Sequence, residues 1–419
     1  TDLSDILFGT GVPVVTEANL GAIKADKVNI AVHGHNPLLS QMVVAAAKEM
    51  QAEAKAAGAA GINLVGICCT GNEVLMREGV AIATNFATQE LAILTGAMDA
   101  MVVDVQCIMP SLRSLSECFH TKIVTTMPIM KIPGSYHYAF DENNALNSAK
   151  DIVRLAIESY KERDVQKVNI PQIRNTVVAG FSVESILNIF KSINPDNPIK
   201  VLTDAIAAGE IKGVALFCGC NNLKGKHDDN HLELAKGLAK NDVFMVATGC
   251  AAQAYAKEGL LCSEGVEKYA GEGLKKFIAR LNEKSGLTTD LPLVFHMGSC
   301  VDNSRSNDFA TLIANEMGLD ISEIPYVASA PEAMSEKSVA IGSYHVAMGT
   351  PTHVGVIPPL TGSSLVYDVV TKIAEDVFGG FFILEEDPHK AVAKLVEVLE
   401  ERTWKLAMRA KANVKVVED

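Results

Sequence analysis

Short apolar runs alternate along this chain with amphipathic stretches of helix length, and that alternation leaves few folds open to it. VNIAVHG, INLVGI, MVVDV, KIVTT and TVVAGF are each bounded by helix-like segments such as LLSQMVVAAAKEMQAEAKAAG and SAKDIVRLAIESYKER. Strands separated by helices cannot be joined by hairpins, so they assemble as βαβ units in a parallel sheet covered on both faces. The rhythm repeats in GVALF, VFMVA, LPLVFH, PYVAS, THVGVI and GGFFIL. The fold class is therefore α/β, with two doubly wound (Rossmann-like) parallel-sheet domains, which the length of 419 residues accommodates. The turn-forming INPDNPIK and the helix-like VLTDAIAAGE precede GVALF, which sets a boundary near residue 211, with domains 1–211 and 212–419.

The ends of these runs carry the chemistry. One histidine and five cysteines each stand just past an apolar run: His35, Cys69, Cys107, Cys220, Cys250 and Cys300. In open parallel sheets ligands bind in the crevice beyond the carboxyl ends of the strands, so residues far apart in sequence can meet there. Drawn from both domains, these six would hold a metal cluster between the two. Imidazole and thiolate suit zinc, copper, nickel and iron, whereas calcium and magnesium require oxygen, and carboxylates are absent from the glycine turns of these loops. A single zinc or an ordinary cubane takes four protein ligands, so six imply a larger, asymmetric cluster. Glycines in GHN, CTGN, CGCNN, ATGC and MGSC allow close backbone approach to such a cluster.

Taken singly, a cysteine that closes a core strand is ordinarily a small hydrophobe; the series of five is what points to metal. Spacing does not choose between His33 and His35. Cys68 would point away from its neighbour Cys69 if the strand continued through both. Cys118, Cys218 and Cys262 read as packing residues, and His296 and His353 as satisfied core histidines.

A formal net charge of −13 argues against a nucleic-acid surface. No run resembles a membrane span, so the chain reads as soluble. Nine cysteines in so long a chain do not form the dense framework of a small secreted domain, which places the protein in a reducing cytoplasm. The sequence starts at Thr1 without methionine or a signal-type segment, an expectation of processing or truncation.

Together, HGHNP, GICCTGNE, VDVQCIMPS, CGCNN, ATGCAA, HMGSCVDNSR and ASAPEAMSEKSVAIG closely resemble the catalytic region of the anaerobic nickel-iron carbon monoxide dehydrogenases, from TDLSDILFG to GGFFILEEDP. The resemblance implies a nickel-iron-sulfur cluster of the Ni-4Fe-4S type (the C-cluster), with His35 and Cys69 on the unique iron, Cys107, Cys220 and Cys250 on the other irons, and Cys300 on nickel. It selects His35 over His33 and Cys69 over Cys68. It implies that carbon monoxide and water become carbon dioxide, two protons and two electrons. Lys337 matches the family lysine that hydrogen-bonds the reacting carboxylate and helps move protons, and Ile341, one helical turn on, would wall the gas pocket.

Full-length relatives of that kind carry an N-terminal helical part with additional 4Fe-4S clusters, which this sequence lacks. The chain thus reads as a fragment, one piece of a longer polypeptide or a natural short form. The partners implied are a ferredoxin-like electron acceptor, a second copy in a homodimer and an acetyl-CoA synthase subunit. Two other functions compete: a nickel-free hybrid-cluster reductase of hydroxylamine or nitrogen oxides, and a noncatalytic metal-binding core. Nickel content separates the first of these from the dehydrogenase reading, and turnover with an artificial acceptor separates the second.

Overall fold

The computed structural model describes residues 1–417. By their contacts they fall into two compact units: Thr1–Gly180 with Ala256–Glu258 and Gly298–Val301, and the remainder from Phe181 onward. Among the described residues no helix is long and apolar enough to cross a membrane.

The first unit is built on eight strands: β1 (Val14–Ala18), β2 (Val28–His33), β3 (Ile62–Ile67), β4 (Ala81–Thr84), β5 (Ala100–Val103), β6 (Lys122–Thr125), β7 (Tyr136–His137) and β8 (Asn175–Ala179). Their order is β7-β6-β5-β2-β3-β4-β1-β8, and every pairing is parallel except β1 with β8. From β2 the chain moves outward through β3 and β4 on one side, then returns to build β5, β6 and β7 on the other. The crevice between the carboxyl ends of β2 and β5 is therefore the topological switch point, where doubly wound sheets place ligands.

Both faces of β2 are buried. Val28, Ile30 and Val32 alternate onto one face and pack against Leu39, Val43 and Ala47 of the helix Pro37–Glu49 and Ile152, Val153 and Ala156 of the helix Ala145–Lys161. Asn36 starts the first of these helices as its N-cap, its side chain accepting from the Leu38 amide at 3.1 Å. The chain thus leaves β2 through His33, Gly34 and His35 and turns directly into a helix.

The second unit holds β9 (Gly213–Phe217), β10 (Val243–Thr248), β11 (Val294–Gly298), β12 (Tyr326–Ala330), β13 (Thr352–Val354) and β14 (Phe382–Leu384), in the order β11-β10-β9-β12-β13-β14. β9 pairs in parallel with both β10 and β12, so its switch point lies between the ends of β9 and β12. The core of this unit includes an aromatic cluster in which Phe244 lies 4.8 Å from Phe295 and 5.9 Å from Phe277 between ring centroids.

The boundary read from the sequence at 211 differs from the break at Gly180. Once β8 has paired with β1, the next residue already belongs to the other core: the Phe181 ring lies 4.5 Å from Phe295 and its amide donates to the His296 carbonyl at 3.0 Å. The helices Val183–Lys191 and Lys200–Ala207 follow it there, with Phe190 against Phe277. INPDNPIK is thus the turn between these two helices, not an interdomain linker. The stretch 298–301 also moves, from the second domain expected for Cys300 to the first unit.

Candidate metal centre

The loop after β2 is shaped around one carboxylate. Gly34 has φ 131°, a conformation other residues rarely adopt, and a Cβ there would overlap the Asp104 side chain. Asp104, the residue after β5, accepts the His35 amide at 2.5 Å, the Thr70 hydroxyl at 2.7 Å and the Val105 amide. One buried side chain thereby ties together the loops that carry His35, Cys69 and Cys107. Burial raises its pKa to about 6, against the lowering effect of the hydrogen bonds from Thr70, Val105, His35 and Asn36.

The His35 ring is oriented by the same loop. Its Nδ1 lies 3.2 Å from the Val105 carbonyl, a contact that requires the proton on Nδ1 and leaves the lone pair on Nε2, the nitrogen that could then bind a metal. The Cys107 sulfur lies 3.9 Å from that Nε2. Both Gln106 and Cys107 have positive φ, 62° and 55°, so the backbone reverses sharply after β5.

Cys69 comes from the turn after β3. The strand does not continue through the cysteine pair: it stops at Ile67, and the helix Cys68–Glu78 begins at once with Cys68 at φ 56°. Gly66 and Gly71 pass so closely that a Cβ on either would strike the other's backbone. This packing lets the helix start directly beneath β2's exit, where the Thr70 amide donates to the Gly34 carbonyl at 2.7 Å. The Cys69 sulfur in turn accepts the Cys300 amide at 3.2 Å.

The result is a buried group in the first unit: one ligand atom each from His35, Cys69 and Cys300, all within 4.8 Å of one another. It contains an imidazole and two thiols, with no carboxylate in the group. Asp104 spends its oxygens on backbone amides and Thr70. This soft donor set fits iron or nickel and is unsuited to calcium or magnesium. His35, Cys69 and Cys300 are thus together, and Cys107 stands beside His35.

Cys220 and Cys250 lie in the second unit, after β9 and β10. The Cys250 amide donates to the Gly219 carbonyl at 3.2 Å, which sets the two cysteine loops side by side. The Cys220 sulfur lies 3.3 Å from the Ser335 hydroxyl and 3.1 Å from that of Ser338, while its carbonyl accepts from His231 Nε2 at 2.9 Å. Lys337 sits between those serines, half-buried in the helix Glu336–Ala347, and Ile341 follows on it, also half-buried.

His33 is a core residue: fully buried, its Nε2 lies 2.9 Å from Gln89 Oε1, and burial lowers its pKa to about 4. Gln89 also donates to the Cys107 carbonyl at 3.2 Å, so it braces the β5 loop. His353 is satisfied as expected, between the Ser329 hydroxyl and the Glu385 carbonyl, each at 2.8 Å. His296 is fully buried in β11. Cys218 and Cys262 are buried, but Cys118 is exposed, contrary to its expected packing role: it falls in the turn before β6, outside the apolar run.

Sequence reasoning did not single out Asp104, Gln89, Thr70, Ser335 or Ser338. Asp104 alone left a readable sign, as a charge interrupting the apolar run MVVDV.

Residues 1–389 match the family model described as Prismane/CO dehydrogenase family. The carbon monoxide dehydrogenase/acetyl-CoA synthase subunit beta of Moorella thermoacetica is 58% identical over 410 residues, which are 97% of this chain and 61% of that one. A solved structure of acetyl-CoA synthase/carbon monoxide dehydrogenase superposes with a TM-score of 0.97 at 56% identity, covering 99% of this chain and 62% of that chain. Carbon Monoxide Dehydrogenase IV from Carboxydothermus hydrogenoformans gives 0.95 at 53%, with 97% and 64% covered. The chain therefore spans a little over three fifths of these relatives. A buried imidazole–thiol group at the ends of parallel strands and a family match over nearly all of the sequence lead to one assignment: this chain belongs to the Prismane/CO dehydrogenase family.

Proposed function

We propose that this chain is the cluster-bearing part of an oxidoreductase that interconverts carbon monoxide and carbon dioxide, CO + H2O giving CO2, two protons and two electrons. The observation that carries this reading is the buried convergence of His35, Cys69 and Cys300, ligand atoms within 4.8 Å, in a chain of this family. When bound, a nickel-iron-sulfur cluster would bring the two reactants together, lower the pKa of the water and take up the two electrons. His35 and Cys69 would hold its unique iron, Cys107, Cys220 and Cys250 the other irons, and Cys300 the nickel.

The remaining roles belong to the chain's own groups. Asp104 fixes the loop of His35 and, through Thr70, that of Cys69. The Lys337 ammonium would donate a hydrogen bond to the substrate oxygen as negative charge develops on it, and hand protons on. Ile341, on the same helix face, would keep the gas pocket apolar. Electrons would pass to a ferredoxin-like acceptor through further 4Fe-4S clusters carried outside this stretch. A second copy in a homodimer, an acetyl-CoA synthase subunit and a cytoplasmic setting complete the proposal.

Elemental analysis of the anaerobically purified chain, followed by an assay with a viologen acceptor, tests it. About one nickel per chain with carbon monoxide-dependent viologen reduction is expected. Iron without nickel, with oxidation of reduced viologen by hydroxylamine, would replace it with the hybrid-cluster reading. Bound metal without either turnover would leave a noncatalytic core.

A further inference from the structure

The stretch 298–301, which carries Cys300, is anchored at each step. Gly298 leaves β11 at φ 127°. The Ser299 hydroxyl donates to Glu73 Oε1, the Cys300 amide to the Cys69 sulfur at 3.2 Å, and the Val301 carbonyl accepts the Thr1 hydroxyl at 2.8 Å. All of these partners belong to the first unit. Cys69 and Glu73 are four residues apart on one helix, and so lie one above the other on a single face. Two neighbouring residues of one helix face therefore grip two consecutive residues of the Cys300 stretch.

Glu73 is 1% exposed, and a carboxylate so buried needs a charged partner. Arg77, one turn further along, supplies it: one guanidinium nitrogen bonds Glu73 Oε2, another Asp5 at 2.7 Å, and Nε the Gly9 carbonyl at 2.9 Å. One Glu73 oxygen is thereby held by Arg77, and the other is aimed at Ser299. The residues that follow Glu73 on the helix, Val74, Leu75 and Met76, bury apolar side chains instead.

We infer that Glu73 is a positioning residue: through Ser299 it fixes Cys300 beside Cys69, and thereby sets how firmly the metal at Cys300 is held. The inference rests on the reading of Cys69 and Cys300 as metal ligands. Carboxylates that orient a neighbouring ligand typically change metal affinity ten- to a hundredfold when lost.

The test measures release of nickel and iron into a chelator from the metal-loaded full chain. Ser299→Ala removes only the hydroxyl, leaves the Glu73–Arg77 pair intact, and should release nickel roughly tenfold faster or more with iron release unchanged. Glu73→Gln should be milder, since its amide can still meet both neighbours, and the double variant should release nickel no faster than Ser299→Ala alone. Nickel release within about twofold of the unmodified chain, joint loss of both metals, or additive effects would each overturn the inference. If the unmodified chain binds iron but no nickel, the functional reading fails instead. Alkylation of Cys300 by iodoacetamide in the iron-loaded chain then decides: faster in Ser299→Ala supports the clamp, and an equal rate rejects it.

Discussion

Replacing Asp104 separates the two things its carboxylate does, which are to accept hydrogen bonds and to carry charge. In Asp104→Ala the amides of His35 and Val105 lose their acceptor, and Thr70 loses its own. Each buried donor left without a partner costs about 1–3 kcal/mol and the lost hydroxyl bond about 1 kcal/mol, roughly 3–7 kcal/mol in all. In Asp104→Asn the remaining oxygen keeps both amides, and the Thr70 hydroxyl can rotate to accept from the new NH2 group. Only the reinforcement by charge is lost, about 1 kcal/mol. Hydrogen exchange of the His35 and Val105 amides reads this difference locally, without requiring that the two units unfold together. At about 1.4 kcal/mol per tenfold, the alanine variant should exchange these amides at least about a hundredfold faster, and the asparagine variant within about tenfold of the unmodified chain. Equal acceleration in both variants, or protection retained in the alanine variant, would refute the view that this side chain organises the loop by accepting amides.

Three further outcomes are expected. If Cys300 holds nickel as proposed, Cys300→Ala should remove nickel and spare much of the iron, because only one protein bond to nickel would be lost; elemental analysis showing equal loss of both metals contradicts the assignment. Lys337→Ala should keep metal content and lower carbon monoxide oxidation by about a hundredfold, the usual scale for one preorganised donor; loss of metal would instead make the lysine structural. His353 is fully buried and burial lowers its pKa from 6.5 to about 4, so the unfolded chain binds a proton there that the folded chain refuses. Its contribution is fully present above pH 6.5 and is lost as pH falls toward 4, by about 3 kcal/mol. The pH dependence of unfolding should therefore be shallower over that window in His353→Gln, and an unchanged slope would show that another group governs it.

The strands that are buried on both faces were legible. VNIAVHG, INLVGI, GVALF and VFMVA are mostly apolar because both faces of these strands are wholly or largely buried, and each is an interior strand of its sheet. β1 and β4 lack that signal: VVTEA is only partly buried, and AIAT, though mostly buried, is four residues long with small or polar residues at three of them. The misplaced boundary has a different cause. INPDNPIK carries strong turn residues, but turn residues mark where the chain bends, not which core it joins, and that was decided by the Phe181 and Phe190 rings.

The site was legible to the extent that topology acts on sequence order. A ligand that follows a strand is carried to the sheet's carboxyl end whatever lies between, so the spacing of His35, Cys69 and Cys107 was enough to place them on one edge. Choosing between neighbours needed what sequence spacing lacks. His33 ends the strand and is consumed by Gln89, whereas His35 lies beyond a glycine whose φ only glycine adopts readily, and there Asp104 takes its amide. The same holds for Cys68 and Cys69: alternation predicts opposite faces in a strand, but a helix begins at Cys68 and alternation no longer applies. Cys300 shows the limit most sharply. Its strand is part of the second sheet, yet its contacts are with Cys69 and, through Ser299, with Glu73. Sequence order assigns a residue to the strand that delivers it; the hydrogen bonds that Ser299 and Cys300 donate to the helix decide where its sulfur comes to rest.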